Sequence, residues 1–311
     1  MAGSLKDWVK GCVAAMDAAA RPWAGRSRAN AFAWEFWLFG LKQAWACLFG
    51  GAMVALLILT HFVWPAHAVL ARYDFLVIAA LVLQVLLLAT RLERWDEALV
   101  ILVFHMVGTA MEVFKVAHGS WIYPEQSLLR IAGVPLFSGF MYASIGSYIA
   151  RAMRLFEIRF EYYPPLWGPW LLAMLSYANF FTHHFVPDIR WGLFGLSLAL
   201  YGRGWFQYTP DRTARRMPML MGFGLVALFI WFAENVGTYT ATWIYPHQAG
   251  GWRPVGIAKL GSWYLLMMLS FVLVTLVHRP KMVEAPSPRL SSRMERRSRG
   301  SAGPISTDQA R

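Results

Sequence analysis

Of 311 residues, 58% are hydrophobic and only 15% charged, which is too apolar for a soluble domain of this length and points to a bilayer as solvent. The formal charge of +12 arises from 29 Lys and Arg against 17 Asp and Glu; these cations gather at the chain ends and in alternate connections without a nucleic-acid-binding motif, which excludes nucleic acid as a partner. Two cysteines, Cys12 and Cys47, lack metal-ligand or disulfide spacing and exclude a cysteine framework.

Residues 1–36 open with LKDWVKGCVAAMD, in which Leu5, Trp8, Val9, Cys12, Val13 and Met16 share one helical face. This predicts an interfacial helix on the cytoplasmic leaflet, with Lys6 and Lys10 towards lipid head groups. No charged stretch followed by an apolar run and a small-residue cleavage site precedes residue 37, so the first span is expected to act as the insertion signal.

From residue 37 to 278 the chain reads as an all-α polytopic membrane domain. A span needs about 20 mainly apolar residues. Eight such runs are predicted at 43–64, 70–90, 97–118, 131–152, 165–186, 189–207, 217–240 and 257–278. Arg91, Arg94, Arg151, Arg154, Arg159, Arg212, Arg215 and Arg216 fall on the same side as both basic chain ends, whereas the opposite side holds only Arg72, Arg130, Arg190 and Arg253. Cytoplasmic loops keep the excess of cations, so both termini are expected in the cytoplasm. Residues 279–311 are rich in Pro, Ser and Arg, with no apolar period, and read as a disordered basic tail able to touch anionic lipid.

The word WIYPEQ at Trp121 to Gln126 returns as WIYPHQ at Trp243 to Gln248, on the outer side after the third and seventh spans. The same offset of 122 residues carries Glu112 onto Glu234, Gly139 onto Gly261, Tyr142 onto Tyr264, and Thr60, His61 and Pro65 onto Thr182, His183 and Pro187. One offset in several places predicts a duplicated four-helix unit, with copies at about 43–152 and 165–278. An even number of spans per copy makes the two units parallel.

Glu112 and Glu234 are the candidate catalytic residues, because an ionisable group costs about 2.5–3.5 kcal/mol at the centre of a span and is seldom kept without a use. Lys115 stands at i+3 from Glu112 and predicts a pair within one helix, while Lys259 at the start of the eighth span predicts a pair with Glu234 between helices. Candidate ligand-binding residues are these two lysines with Trp121, Tyr123, Trp243, Tyr245, His61, His183, Asn179 and Asn235. Packing accounts equally for several of them: His61 and His183 suit the ends of helices stopped by Pro65 and Pro187, Asn179 and Asn235 suit bonds between helices, and His105 suits a packed core. Six histidines gather near the outer face, but without ligand spacing, so neither a metal nor another cofactor is expected.

Three functions use these residues. In the first, the glutamates bind an isoprenoid or other lipid-like substrate, or modify it by acid–base chemistry, with the aromatic residues stabilising positive charge. In the second, two rocking units form a proton-coupled transporter of small molecules. In the third, the chain is a non-catalytic scaffold that binds membrane lipids or a partner protein. Glutamates meeting at a closed apolar cavity reachable from lipid favour the first reading, an aqueous path favours the second, and burial in dry, fully paired contacts favours the third.

The words EVFKVAHGSWIYPEQ, ENVGTYTATWIYPHQ, KLGSWYLLMMLSFVLVTLVHRP and FWLFGLKQAWACLFGG resemble the YoaT-like family of bacterial integral membrane proteins, catalogued as domain of unknown function 817. The resemblance covers about residues 35–280 and implies the bacterial inner membrane as location, with no assigned activity. Gly119, Trp121, Tyr123, Gly133 and Pro135, with Glu234 to Gly237 as E-x-x-G, also resemble membrane carotenoid cyclases and hydratases. The cyclases carry acids just after that proline, whereas this chain reads Pro135-Leu-Phe-Ser-Gly139.

Overall fold

A computed structural model describes residues 5–65 and 67–283. The chain is mostly helical, with ten α-helices among the described residues. They are α1 (Leu5–Ala24), α2 (Arg28–Ala46), α3 (Leu48–Val63), α4 (Arg72–Ala89), α5 (Trp95–Ala117), α6 (Phe137–Leu155), α7 (Trp167–Thr182), α8 (Arg190–Tyr201), α9 (Met219–Tyr239) and α10 (Ala258–Val277).

Four of them, α4, α5, α9 and α10, are long and apolar enough to cross a membrane, and α2 with α3 makes a fifth if that pair, bent by 71°, is one span. All four lie within a few residues of the predicted runs. Their outward faces carry Val82, Val85, Leu99, Leu102, Met106 and Phe229, all exposed. Apolar surface on that scale belongs against lipid, and the chain is a membrane protein on this ground. The remaining predicted runs differ from the observed helices. The run 43–64 begins inside α2 and crosses the bend at Cys47, and α8 has only 12 residues, about 18 Å at 1.5 Å per residue.

The fold is also not purely α. Strands β1 (Arg130–Ile131) and β2 (Val134–Pro135) form a hairpin into α6, closed by Ala132 and Gly133 at φ 48° and 82°, as a two-residue turn with positive φ at both positions requires. Strands β3 (Arg159–Glu161), β4 (Trp205–Tyr208) and β5 (Arg215–Pro218) form an antiparallel sheet beyond the end of α6. Segment 281–283 runs parallel beside β3, through Phe160 N–H to Lys281 O at 2.9 Å and Val283 N–H to Phe160 O at 3.0 Å. The first residues of the predicted disordered tail are therefore paired; residues 284–311 lie outside the described residues.

Helix α1 forms where predicted. It is fixed to the loop between Tyr208 and Arg215 rather than to the bundle core: Arg21 donates to Asp211 at 2.5 and 2.6 Å and to Asp17 at 3.0 Å, and Trp34 Nε1 donates to Asp17 at 3.0 Å. Its Trp8 and Val13 stay exposed. The main core runs between α3, α4, α6, α9 and α10 and includes Phe49, Met53, Leu57, Tyr73, Phe137, Phe223 and Phe271.

Candidate functional site

The outer ends of α5 and α9 stop in the same way. After α5, Ser120 N–H returns to Lys115 O and Gly119 N–H to Val116 O, both at 3.0 Å, with Gly119 at φ +66°. After α9, Thr242 N–H returns to Gly237 O at 2.9 Å and Ala241 N–H to Thr238 O at 3.1 Å, with Ala241 at φ +49°. Both are Schellman endings, whose left-handed residue favours glycine. Ala241 therefore carries a backbone cost, and Ala241→Gly is expected to raise stability by roughly 0.5–1 kcal/mol, read as a higher midpoint of thermal unfolding in detergent.

These endings turn the chain back over the helices, and the two WIYP words meet. Ile122 N–H donates to Ile244 O at 3.0 Å and Ile244 N–H to Ile122 O at 2.9 Å, an antiparallel bridge between positions at the shared offset. The start of α4 fastens both loops. Arg72 pairs with Glu125 at 3.0 Å and reaches Thr240 O at 3.3 Å, Tyr73 Oη donates to Thr242 O at 2.8 Å, and Asp74 accepts from Leu128 and Leu129 N–H at 2.9 and 2.7 Å.

The returning loops cage the glutamates. Glu112, 4% exposed, accepts from Trp121 Nε1 at 2.8 Å, Tyr123 Oη at 2.7 Å and Tyr142 Oη of α6 at 2.8 Å. Glu234, 3% exposed, accepts from Tyr245 Oη and from Trp263 Nε1 of α10. Between the cages lies Lys259, with Nζ 4.5 Å from the Tyr245 ring centre and 5.3 Å from that of Trp121. Its charge acts on both carboxyls, and the carboxyls act on each other, so the three groups form one electrostatic unit.

Neither predicted ion pair forms. Lys115 turns from Glu112 to α7, with Nζ at 3.2 Å from His183 Nε2 and 2.9 Å from His184 Nε2, above the Phe180 ring at 4.3 Å. Three aromatic donors occupy Glu112 instead. Lys259 makes no direct ion pair with Glu234.

Both glutamates line one cavity of about 1050 Å³, together with Lys115, Lys259, Trp121, Tyr123, His183, Trp243 and Tyr245. Along α6 the wall is Ser138, Met141, Tyr142, Ile145, Tyr148, Ile149, Ala152, Met153 and Phe156, a single helical face. From Ser138 to Phe156 it extends about 27 Å at 1.5 Å per residue. The far end reaches Phe39, Tyr208 and Met217 at the sheet of β3, β4 and β5. Phe36, Leu225, Phe229 and Phe232 also line it and are 65%, 45%, 70% and 49% exposed, so the cavity opens sideways onto the apolar outer surface.

Three candidate residues lie outside this cavity. His61 is exposed beside Phe62 and Tyr239. Asn179 ties down the turn after α7, donating to Asp188 at 2.9 Å and accepting from Ile189 N–H at 3.1 Å. Asn235 holds the loop before α10 by accepting from Val255 N–H at 2.9 Å. His105 packs on Phe140. Conversely, Tyr142, Trp263 and Arg190 belong to the site without having been singled out from sequence. Tyr142 had a signal in its shared offset with Tyr264; Trp263 and Arg190 had none, because α10 and α8 are brought in by tertiary packing.

No solved structure matches this chain. It is 41% identical over 250 residues to a protein described as "Uncharacterized protein YoaT" from Bacillus subtilis (strain 168), a match covering 80% of this chain and 93% of that one. A family profile described as a protein of unknown function, DUF817, matches residues 35–271. That interval holds both glutamate cages, both WIYP loops and the cavity wall along α6, and the chain belongs to the DUF817 family.

Proposed function

We propose that this protein binds an isoprenoid or other lipid-like molecule inside the membrane, with the apolar part along α6 and the polar end against Glu112, Glu234 and Lys259. The observation that carries this reading is the long cavity, open sideways to lipid and ending at two caged carboxyls. The apolar lining counts against an aqueous path, and so against small-molecule transport. The cavity itself counts against a scaffold with a dry, filled interior. In an acid–base reaction on the ligand, Glu234 is the carboxyl we assign to proton exchange, because it accepts from two protein donors where Glu112 accepts from three.

The wider frame of this reading is a bacterial inner-membrane protein with cytoplasmic termini, built from two parallel four-helix units with eight crossings. The Ile122–Ile244 bridge, the identical endings of α5 and α9 and the placement of one caged glutamate in each half support the duplication. The short helices α3, α7 and α8 serve in it as crossings completed by neighbouring packing. The exposed Trp8 and Val13 of α1 suit the cytoplasmic leaflet.

Gly40 and Gly51 line the cavity, and a Cβ at either position would meet nothing within 4 Å. Gly40→Leu with Gly51→Leu is therefore expected to fill the cavity without strain and to gain roughly 1–2 kcal/mol of helix propensity. Mass spectrometry of lipid extracts from purified wild type and double variant is the test. A ligand enriched in the wild type and reduced about ten-fold in an equally stable variant supports the reading; equal lipid content in both removes it.

A further inference from the structure

The hydrogen-bond accounting at the outer end of the cavity is unbalanced. Every carboxylate there is supplied with donors: Glu112 by three aromatic groups, Glu234 by two, and Asp188 by Asn179 Nδ2, Arg190 N–H and Arg190 Nε at 2.9, 2.9 and 2.6 Å. The cations are not supplied with acceptors. Among the described residues, the Lys259 ammonium has no hydrogen-bond acceptor and rests only on the Trp121 and Tyr245 rings. Lys115 spends two of its three N–H groups on imidazoles. His183 Nδ1 lies 2.8 Å from Asn179 O, which fixes that nitrogen as the donor and leaves Nε2 to accept from Lys115. Arg190 gives Nε to Asp188 and leaves both Nη groups without an acceptor among the described residues.

These three cations line the same cavity, as do His183 and Ser262, and each lies within electrostatic range of another. Asp188, Glu112 and Glu234 balance the charge of these cations but leave their donors unused, and unused donors at a membrane cavity are costly unless an acceptor-rich group joins them. The position at the shared offset from Lys115 is Gly237, and a Cβ there would fall 2.0 Å from the Trp243 ring, so tryptophan fills the space that the lysine and histidines occupy on this side.

We propose that Lys115, Lys259 and Arg190 form a subsite for the phosphate head of an anionic lipid whose chain lies along α6. This rests on the lipid-binding reading and names the chemical class of its ligand. A phosphate supplies at least three acceptor oxygens for the three cations and suits the fork geometry of Arg190. The apolar wall below excludes the rest of the anion from the membrane centre and orients the ligand with its head outward.

The test measures dissociation constants on the purified full chain in neutral detergent, with a long-chain alkyl phosphate, the matched alkanol and inorganic phosphate as probes. The alkyl phosphate is expected to bind about ten-fold or more tightly than the alkanol. Lys115→Gln and Lys259→Gln are each expected to erase that difference, Lys115→Arg and Lys259→Arg to preserve it, and Arg212→Gln on the cytoplasmic side to leave it unchanged. Equal affinity of the wild type for phosphate and alkanol overturns the headgroup subsite while the lipid-binding reading stands. Binding of neither chain overturns both. Inorganic phosphate displacing the alkyl phosphate at equal concentration assigns the cations to free phosphate and overturns the lipid assignment. The arginine variants keep the result interpretable where a neutral variant fails to fold.

Discussion

Replacing Glu112 by leucine is expected to lower stability by about 3 kcal/mol, because it strands three buried donors at once. Trp121 Nε1, Tyr123 Oη and Tyr142 Oη all end on this carboxylate, and an unpaired buried donor costs about 1–3 kcal/mol. Relief from holding a charge away from water offsets part of the sum, which is why the loss stays below the full total. Glu112→Gln is expected to cost only about 1 kcal/mol, since the amide oxygen still accepts and a phenol can rotate to accept from the new N–H groups. Tyr142→Phe removes one bond and leaves two, so its loss falls near that of Gln. Reversible unfolding in mixed micelles orders the three variants. A leucine variant as stable as the glutamine variant would show that the aromatic cage contributes nothing to folding.

The same cage shows where the sequence could and could not be read. Carboxyls in apolar runs are conspicuous because their insertion cost makes them rare, so Glu112 and Glu234 were legible, as was their shared offset. Their partners were not. Helical spacing paired Lys115 with Glu112, but it says nothing about a loop that folds back and brings Trp121 and Tyr123 to the carboxylate oxygens while Lys115 turns to His183 and His184. Likewise Ile122 meets Ile244 only because α4 pins both loops through Arg72 and Tyr73. Contacts across such separations depend on the packed bundle, and local periodicity does not encode them.

Among the helices the division is similar. Runs of apolar residues bounded by charge gave α4, α5, α9 and α10 nearly to their ends, because the thickness of a bilayer fixes the length such a run must have. The 71° bend at Cys47 left no trace, since apolar residues continue on both sides of it. The sheet of β3, β4 and β5 did leave a trace that composition hides: Gly202 and Gly204 follow α8, and the aromatic Trp205, Phe206 and Tyr208 favour a strand. Hydrophobicity alone merged that strand with the preceding helix into one long run.

At the opposite end of α6 from the Glu112 cage, Arg151→Leu is expected to cost about 3–5 kcal/mol. Arg151 is fully buried, donates to Glu93 at 2.9 Å and Trp45 O at 3.2 Å, and stands 3.7 Å from Glu97. Gln84 at 2.6 Å and Ser147 at 3.3 Å also serve Glu93, and Arg154 at 2.7 Å serves Glu97. Removing the guanidinium leaves Glu93 as a buried carboxylate with two neutral donors, whereas Glu97 keeps its own arginine. Arg151→Lys also fails to replace it, because a single ammonium cannot span Glu93 and the Trp45 carbonyl as the guanidinium fork does. Removing both charges, in Arg151→Leu with Glu93→Leu, is expected to recover at least half of the loss, since the penalty comes from the unpaired charge rather than from the missing bond. Helix α6 is therefore pinned at Tyr142 near its N-terminal end and at Arg151 near its C-terminal end, with the cavity wall stretched between. A loosened C-terminal pin lets that wall move, so the single variant should also retain less bound lipid, while the double variant retains it. A double variant as unstable as the single one, or an Arg151→Leu protein that unfolds like the wild type, would show that α6 is held by apolar packing alone.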